Sequence, residues 1–341
     1  MQQKIISAML VWLLTGTVIM KADALEKVTY ADSGVVPLYS VVWVGAEAGI
    51  FKKNGLDLTV ITATSTAQVI QSLLSGNTEM GNADTVGALV ANQKGAELVT
   101  IMNYQKTILF DFFVRNEIKT FQDLKGKKIG IARFGGTADH MSRLILRKMG
   151  LNPDTDVTFF QIGSGAERTA ALINNSVQGI LVSPPEPVKL AKEPSLRRLS
   201  SLSELGVVYP YFSFITTRKY LKDHRDVFRY FVKGYLESLK FYATNKQPSI
   251  DIISKRLRIK DNEILENIYK STIENSYMKP YVPKDVDLIY EFAQRDTKKP
   301  ITVKWQDTYD NSFVKELDES GFIDKLFEGV TNVIRETVVH N

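Results

Sequence analysis

The 341-residue chain contains no cysteine. That excludes the disulfide framework of small secreted domains and a lipid-modified cysteine behind a leader. Histidine is scarce: His140, His224 and His340 are the only three, and the last is penultimate in the chain. There is no Gly-x-Ser-x-Gly, no His-x-x-x-His, no P-loop and no cluster of carboxylates, so local motifs supply no catalytic constellation and no metal site. Lys and Arg number 43 against 38 Asp and Glu, for a net charge of +5. They are dispersed and not gathered into a basic stripe with aromatics between them, which gives nucleic-acid binding no support. Beyond Met20 no stretch is apolar enough to span a bilayer, so the mature chain is expected to be soluble.

What the sequence does have begins at its N-terminus. Lys4 supplies positive charge, Ile5 to Met20 is an almost unbroken apolar run, and Ala22-Asp23-Ala24 offers the small-x-small pattern of a cleavage site. These are the three parts of a secretory signal. The run falls short of the roughly 18–20 apolar residues a spanning helix requires. Residues 1–24 are therefore expected to be a signal peptide cleaved after Ala24, delivering a freely diffusing protein to the periplasm of a Gram-negative cell.

The middle of the chain repeats itself at an offset of 99 residues. Ser65 to Asp84 (STAQVIQSLLSGNTEMGNAD) aligns without a gap on Ser164 to Ser183 (SGAERTAALINNSVQGILVS). Each copy opens on Ser-x-x-Gln/Glu, the sequence signature of a capping box. Each continues through a Leu-Leu or Leu-Ile pair and a polar turn into a short apolar strand. The pattern extends backwards: Lys27–Ala31, a glycine-containing loop, a helix ending at Gly55 and the strand Leu58–Thr62 match Lys128–Ala132, the loop Arg133–Thr137, the helix Asp139–Met149 ending at Gly150, and the strand Val157–Gln161. Gly55 and Gly150 are expected helix C-caps. Strands alternating with helices predict parallel sheets covered on both faces. Two such α/β lobes enclose a cleft, and ligands of open α/β sheets bind beyond the C-terminal ends of the strands. From about Asp226 the pattern turns helical (227–239, 250–257, 263–273, 286–293 and 313–317), a tail expected to pack mainly on the first lobe. Ile108–Arg115 and Tyr209–Thr217 are the expected two-strand hinge. The domain plan is 25–112 for the first part of lobe I, 113–214 for lobe II, and 215–341 for the return to lobe I with the C-terminal helices.

Glu47 to Leu56 (EAGIFKKNGL), Leu124 to Gly130 (LKGKKIG), Leu181 to Pro187 (LVSPPEP) and Leu317 to Ile323 (LDESGFI) resemble the nitrate/sulfonate/taurine-type solute-binding proteins of ABC importers. The superfamily also holds the thiamine pyrimidine precursor synthases. The resemblance implies a type II periplasmic binding fold and a non-enzymatic, cofactor-free role. On that reading a monomer captures a small molecule, with a sulfonate- or carboxylate-like anion expected, for a permease in the inner membrane. A periplasmic ligand sensor of the same fold is the alternative. The synthases are a more distant one, because they rely on a cysteine-rich motif that this chain lacks.

Candidate ligand contacts follow from the strand ends. In Arg133-Phe134-Gly135-Gly136-Thr137, glycines bring backbone N–H groups inward, a helix N-terminus follows, and Arg133 adds a bidentate donor, together suited to an anion. Ser65, Thr66 and Ser164 begin helices at the same edge, where capping alone would also explain the serines. Asp84 and Ser183 end the paired strands; Asp84 fits an amine or hydroxyl partner, or caps the following helix. The loop Asp32–Ser40 resembles the family's first binding loop, which carries over Gly34, Val35, Pro37 and Tyr39. Trp43 is expected in the core. Pro184-Pro185 would form a rigid wall with Glu186 at the rim, and Tyr39, Phe134 and Tyr211 an aromatic edge.

Overall fold

The computed structural model describes residues 25–105, 109–205, 209–284 and 286–330. The expected signal peptide, 1–24, and His340 lie outside them. Lobe I begins with β1 (Glu26–Asp32), α1 (Ser40–Glu47), α2 (Ile50–Lys53), β2 (Leu56–Thr62), α3 (Thr66–Leu74), β3 (Met80–Asp84), α4 (Thr85–Gln93) and β4 (Leu98–Asn103). Lobe II comprises β5 (Asp111–Arg115), β6 (Lys127–Ile131), α5 (Thr137–Lys148), β7 (Val157–Gln161), α6 (Gly165–Ile173), β8 (Gly179–Val182), α7 (Glu186–Leu190) and β9 (Leu196–Ser201). The chain then returns to lobe I as β10 (Phe212–Thr217).

The strand orders are β2-β1-β3-β10-β4 and β7-β6-β8-β5-β9. They are the same order: three parallel strands, then an antiparallel strand that has just crossed from the other lobe, then the strand after which the chain leaves the lobe. The 99-residue repeat is thus a repeat of structure, with α3 and α6 starting and ending at matched positions. Gly55 and Gly150 follow their helices at φ 93° and φ 80°, the left-handed conformation expected of C-caps.

The two stretches expected to form the hinge are mainly strands inside the sheets. Phe112, Phe113, Val114, Phe214 and Ile215 are apolar because β5 and β10 are buried in the sheets, not because they bridge lobes. The chain crosses just ahead of them, between β4 and β5 and between β9 and β10; of these crossings, 106–108 and 206–208 lie outside the described residues. Asp111 and Phe112 already belong to the second sheet, and Phe212 to Phe214 to the first.

The tail comprises α8 (Arg218–Asp223), α9 (Arg225–Thr244), α10 (Lys246–Leu257), α11 (Asn262–Asn275), α12 (Asp287–Thr297), α13 (Ser312–Glu319) and α14 (Phe322–Leu326). In α9, Val227, Phe228, Phe231, Val232, Tyr235, Leu236 and Leu239 recur at helical spacing and are buried beneath lobe I with Tyr30, Trp43 and Phe214. Burial of each such side chain stabilises by about 1.5–3 kcal/mol. Helix α12 departs from the expectation that the tail favours lobe I. Its Ile289, Phe292 and Ala293 share one core with Val86 and Leu89 of α4 and with Met141, Leu144 and Ile145 of α5. The helix therefore rests on both lobes. No helix among the described residues is long and apolar enough to cross a membrane.

Candidate functional site

The C-terminal ends of the parallel strands of both sheets face a cavity of about 690 Å³ between the lobes. Its lobe II wall starts where β6 runs into the glycine loop. Gly135 sits at φ 69°, and its N–H donates to Asp139 Oδ2 at 3.0 Å. The Gly136 N–H donates to the Arg133 carbonyl. The loop therefore consumes the glycine N–H groups that the sequence assigned to a ligand. The free donors are one step on: among the described residues, Thr137 and Ala138, the first two residues of α5, have no acceptor for their N–H groups. Gly136 instead gives room to the Arg133 stem, whose Cγ would lie 3.0 Å from a Cβ at that position. Arg133 is exposed and lines the cavity, and its side chain has no hydrogen-bonded or ion-paired partner among the described residues.

On lobe I, Ser65 caps α3 by accepting from the Gln68 N–H at 3.3 Å, and Thr66 Oγ1 accepts from the Asp84 N–H at 3.1 Å. Asp84 caps α4 through Oδ1, which accepts from the Gly87 N–H at 3.0 Å. Its Oδ2 accepts from Thr137 Oγ1 at 3.0 Å, a hydrogen bond across the cleft. Burial raises the Asp84 carboxyl above its ordinary value, opposed by the Gly87 and Thr137 bonds and reinforced by nearby Asp296. Asp296, from α12, accepts from His140 Nε2 at 2.9 Å and brings a third element into the wall.

Of the residues expected at the ligand, Val35, Pro37, Ser65, Thr66, Asp84, Arg133, Gly136, Thr137, Ser164, Ser183 and Tyr211 line this one cavity. Gly34, Tyr39 and Phe134 do not. Tyr39 is a core residue: its hydroxyl pairs with Ser33 Oγ at 2.9 Å, and its ring stands edge-on to Trp43 and Phe212. Gly34 turns the backbone at φ 143°. Phe134 is 56% exposed, outside the lining. Pro184 and Pro185 do form part of the wall, and Trp43 is buried as expected.

The first loop is held from behind by a buried polar cluster. Trp43 Nε1 donates to Asp32 Oδ2 at 2.6 Å and Asn82 Nδ2 to Oδ1 at 2.9 Å, while Ser33 donates from N and Oγ to Asn82 Oδ1. Burial pushes the Asp32 carboxyl up to about 7, against the hydrogen bonds from Trp43 and Tyr30.

Sequence reasoning passed over Arg168 and Asp296 and left Glu186 at the rim. Arg168 is 6% exposed yet lines the cavity. Its guanidinium donates to the carbonyls of Gly163 and Leu181, and Nε is buried without a partner. A signal for it existed: Arg168 interrupts the apolar stripe of α6 at the position matched by Val69 in α3. Asp296 had none, since it ends an ordinary polar turn far along the chain.

Two sheets of this order facing each other across a cleft, with a helical C-terminal region, define the type II periplasmic-binding-protein fold. The NMT1/THI5-like family profile matches residues 37–248, and the chain belongs to that family. A Bacillus subtilis protein described as a candidate binding protein, YtlA, is 23% identical over 261 residues, covering 75% of this chain and 78% of its own. Among solved structures, the periplasmic aliphatic sulphonate binding protein SsuA from Escherichia coli superposes with a TM-score of 0.67 at 16% identity, over 83% of this chain and 91% of that one. The periplasmic nitrate-binding protein NrtA from Synechocystis does so with a TM-score of 0.61 at 13% identity, over 89% and 98%.

Proposed function

We propose that the chain is the extracytoplasmic solute-binding component of an ABC importer. In this reading it works in the periplasm as a monomer, captures a small organic molecule bearing a sulfonate- or carboxylate-like group, and presents it to an inner-membrane permease without altering it. One observation carries the reading. The N-termini of α3, α5 and α6 converge on a single inter-lobe cavity beside the unpaired Arg133. Helix N-termini with free first-turn N–H groups stabilise an anion, and a guanidinium adds a charge-assisted, bidentate pair. The named relatives bind sulphonate and nitrate on the same fold, which agrees with this chemistry.

The test is calorimetry after a thermal-shift screen of small sulfonates and carboxylates, where saturation at 100 Kd adds about 2.7 kcal/mol of stability. Truncating one partner of a desolvated charge pair costs about 2–5 kcal/mol. Arg133→Ala is therefore expected to weaken the best compound at least about tenfold, and to leave the ligand-free protein as stable as before because Arg133 holds nothing else. Equal binding by both proteins would refute the role of Arg133. Recovery of the bound compound in altered form, by mass spectrometry, would refute the non-enzymatic reading.

A further inference from the structure

Positions 66 and 87 meet in lobe I, and their repeat mates 165 and 186 meet in lobe II, but the glycine has changed sides. A Cβ at Gly87 would lie 2.9 Å from Thr66 Cγ2, and a Cβ at Gly165 would lie 3.0 Å from Glu186 Cδ. The volume over the first turn of the paired helix is thus filled by a methyl group in lobe I and by a carboxylate in lobe II. Beneath that carboxylate, among the described residues, the N–H groups of Gly165 and Ala166 have no acceptor. The Ser164 hydroxyl is fully engaged: it accepts from the Glu167 N–H and donates to the Glu167 carboxylate. Deeper in the same wall lies Arg168, nine-tenths buried, with Nε unpartnered and its other donors on two carbonyls. No carboxylate forms an ion pair with it among the described residues.

Glu186 makes no side-chain hydrogen bond to another residue among those described. From α6 it faces Arg168 and from its own helix Lys189; the pair of Lys192, just past α7, with Glu263 of α11 is on the surface, with side chains 55% and 63% exposed. A free helix N-terminus over a buried guanidinium is a seat for an anion, and in this structure the chain's own carboxylate stands against Gly165 at its edge without a hydrogen bond to it. We propose that Glu186 guards the lobe II anion seat from its edge, and that an acidic group of the ligand settles there only when Glu186 has swung aside or taken up a proton. The inference rests on the anionic-ligand reading above and adds the residue that sets its selectivity. Two carboxylates cannot share one seat without repulsion. Glu186 therefore weakens anion binding at high pH and ceases to do so once protonated. Burial raises its carboxyl above the ordinary value, which moves that change toward neutral pH.

The experiment is calorimetry on the full chain with ethanesulfonate and butyrate as probes, at about pH 5.5 and about pH 8, for wild type and Glu186→Gln. The variant is expected to bind both probes about fivefold or more tighter than wild type at the higher pH, with the gap closing at the lower one. A purely structural role for Glu186 would not produce a gap that depends on pH. If the two proteins bind the probes alike at both pH values, or the variant binds more weakly, the inference is overturned while the anionic-ligand reading stands. If neither protein binds either probe, and ethylammonium binds wild type but not Glu186→Gln, both fall together, and Glu186 is a direct contact for a cation.

Discussion

Val69 and Arg168 occupy the same turn of corresponding helices, α3 and α6, and face corresponding sheets. Val69 is fully buried among Ala31, Ala83 and Ile215, and Gly81 opens the space it fills, since a Cβ there would lie 2.6 Å from Val69 Cγ1. In lobe II the mate of Gly81 is Ile180 and the mate of Ala31 is Gly130, so the small residue has moved to the neighbouring strand. The side chain at position 168 is turned to the strand and loop carbonyls. Close packing fixes which volumes must be filled, and leaves open which partner of each contact does the filling. One lobe uses that freedom for an apolar clamp, the other for a buried charge at a binding surface. The same freedom separates Asp84, which caps α4 and holds Thr137 across the cleft, from its mate Ser183, whose carbonyl accepts from the Glu186 N–H.

Importing the lobe II residue into lobe I should break the comparison most severely. Val69→Arg places a guanidinium in an apolar cluster without acceptors, and is expected to cost more than about 4 kcal/mol or to prevent folding, read from denaturant midpoints. A variant as stable as wild type would show that lobe I harbours hidden acceptors and that the lobes differ less than their packing implies.

The second effect is almost as large and is centred on a lobe I residue. The folded-state value of about 7 for Asp32 lies above the ordinary carboxylate value. Its contribution to stability is therefore fully present below about pH 4 and is lost as pH rises to 7, by on the order of 4 kcal/mol. Asp84 and Glu186 are raised too and act in the same direction. Urea unfolding between those limits should show stability falling with pH, and Asp32→Asn should flatten most of the fall. An unchanged slope in the variant would clear Asp32 of responsibility.

Next comes the reverse exchange. Arg168→Val removes the donors to the carbonyls of Gly163 and Leu181, for a loss of about 1–3 kcal/mol, well short of the Val69→Arg effect. Asymmetry in that direction is what separates a packing position from a polar one. The smallest effect is at the seam. Thr137→Val removes the bond to Asp84 and should cost about 0.5–1.5 kcal/mol, while raising the ligand-free radius of gyration in small-angle scattering as the cleft opens further. A radius identical to wild type would mean that the Thr137–Asp84 contact does not hold the lobes together.

Much of this was legible because a repeat is read against itself. The matched capping serines, Leu pairs and C-cap glycines fixed α3 and α6, the parallel strands and the cleft edge before any geometry was known. Eleven of the proposed contacts then line one cavity. What escaped depends on long-range packing. Apolar runs such as Phe112 to Val114 identify strands, but a run reads the same in a hinge as in a sheet centre. The helix carrying Asp296 was expected from its periodicity, yet nothing local says that its last turn reaches the cleft. Arg168 could have been found by asking of each repeat pair why one member is charged.

The position of α12 carries a thermal consequence. The apolar seam of Val86, Met141 and Phe292 joins a helix of each lobe through a third that belongs to the tail. Any opening that parts α4 from α5 draws α12 away from one of them and wets that seam. Newly hydrated apolar surface raises heat capacity, so the open form should have the larger value, and the balance between open and closed should curve with temperature. Ligand binding would then show a heat-capacity change more negative than the ligand's own apolar area can supply.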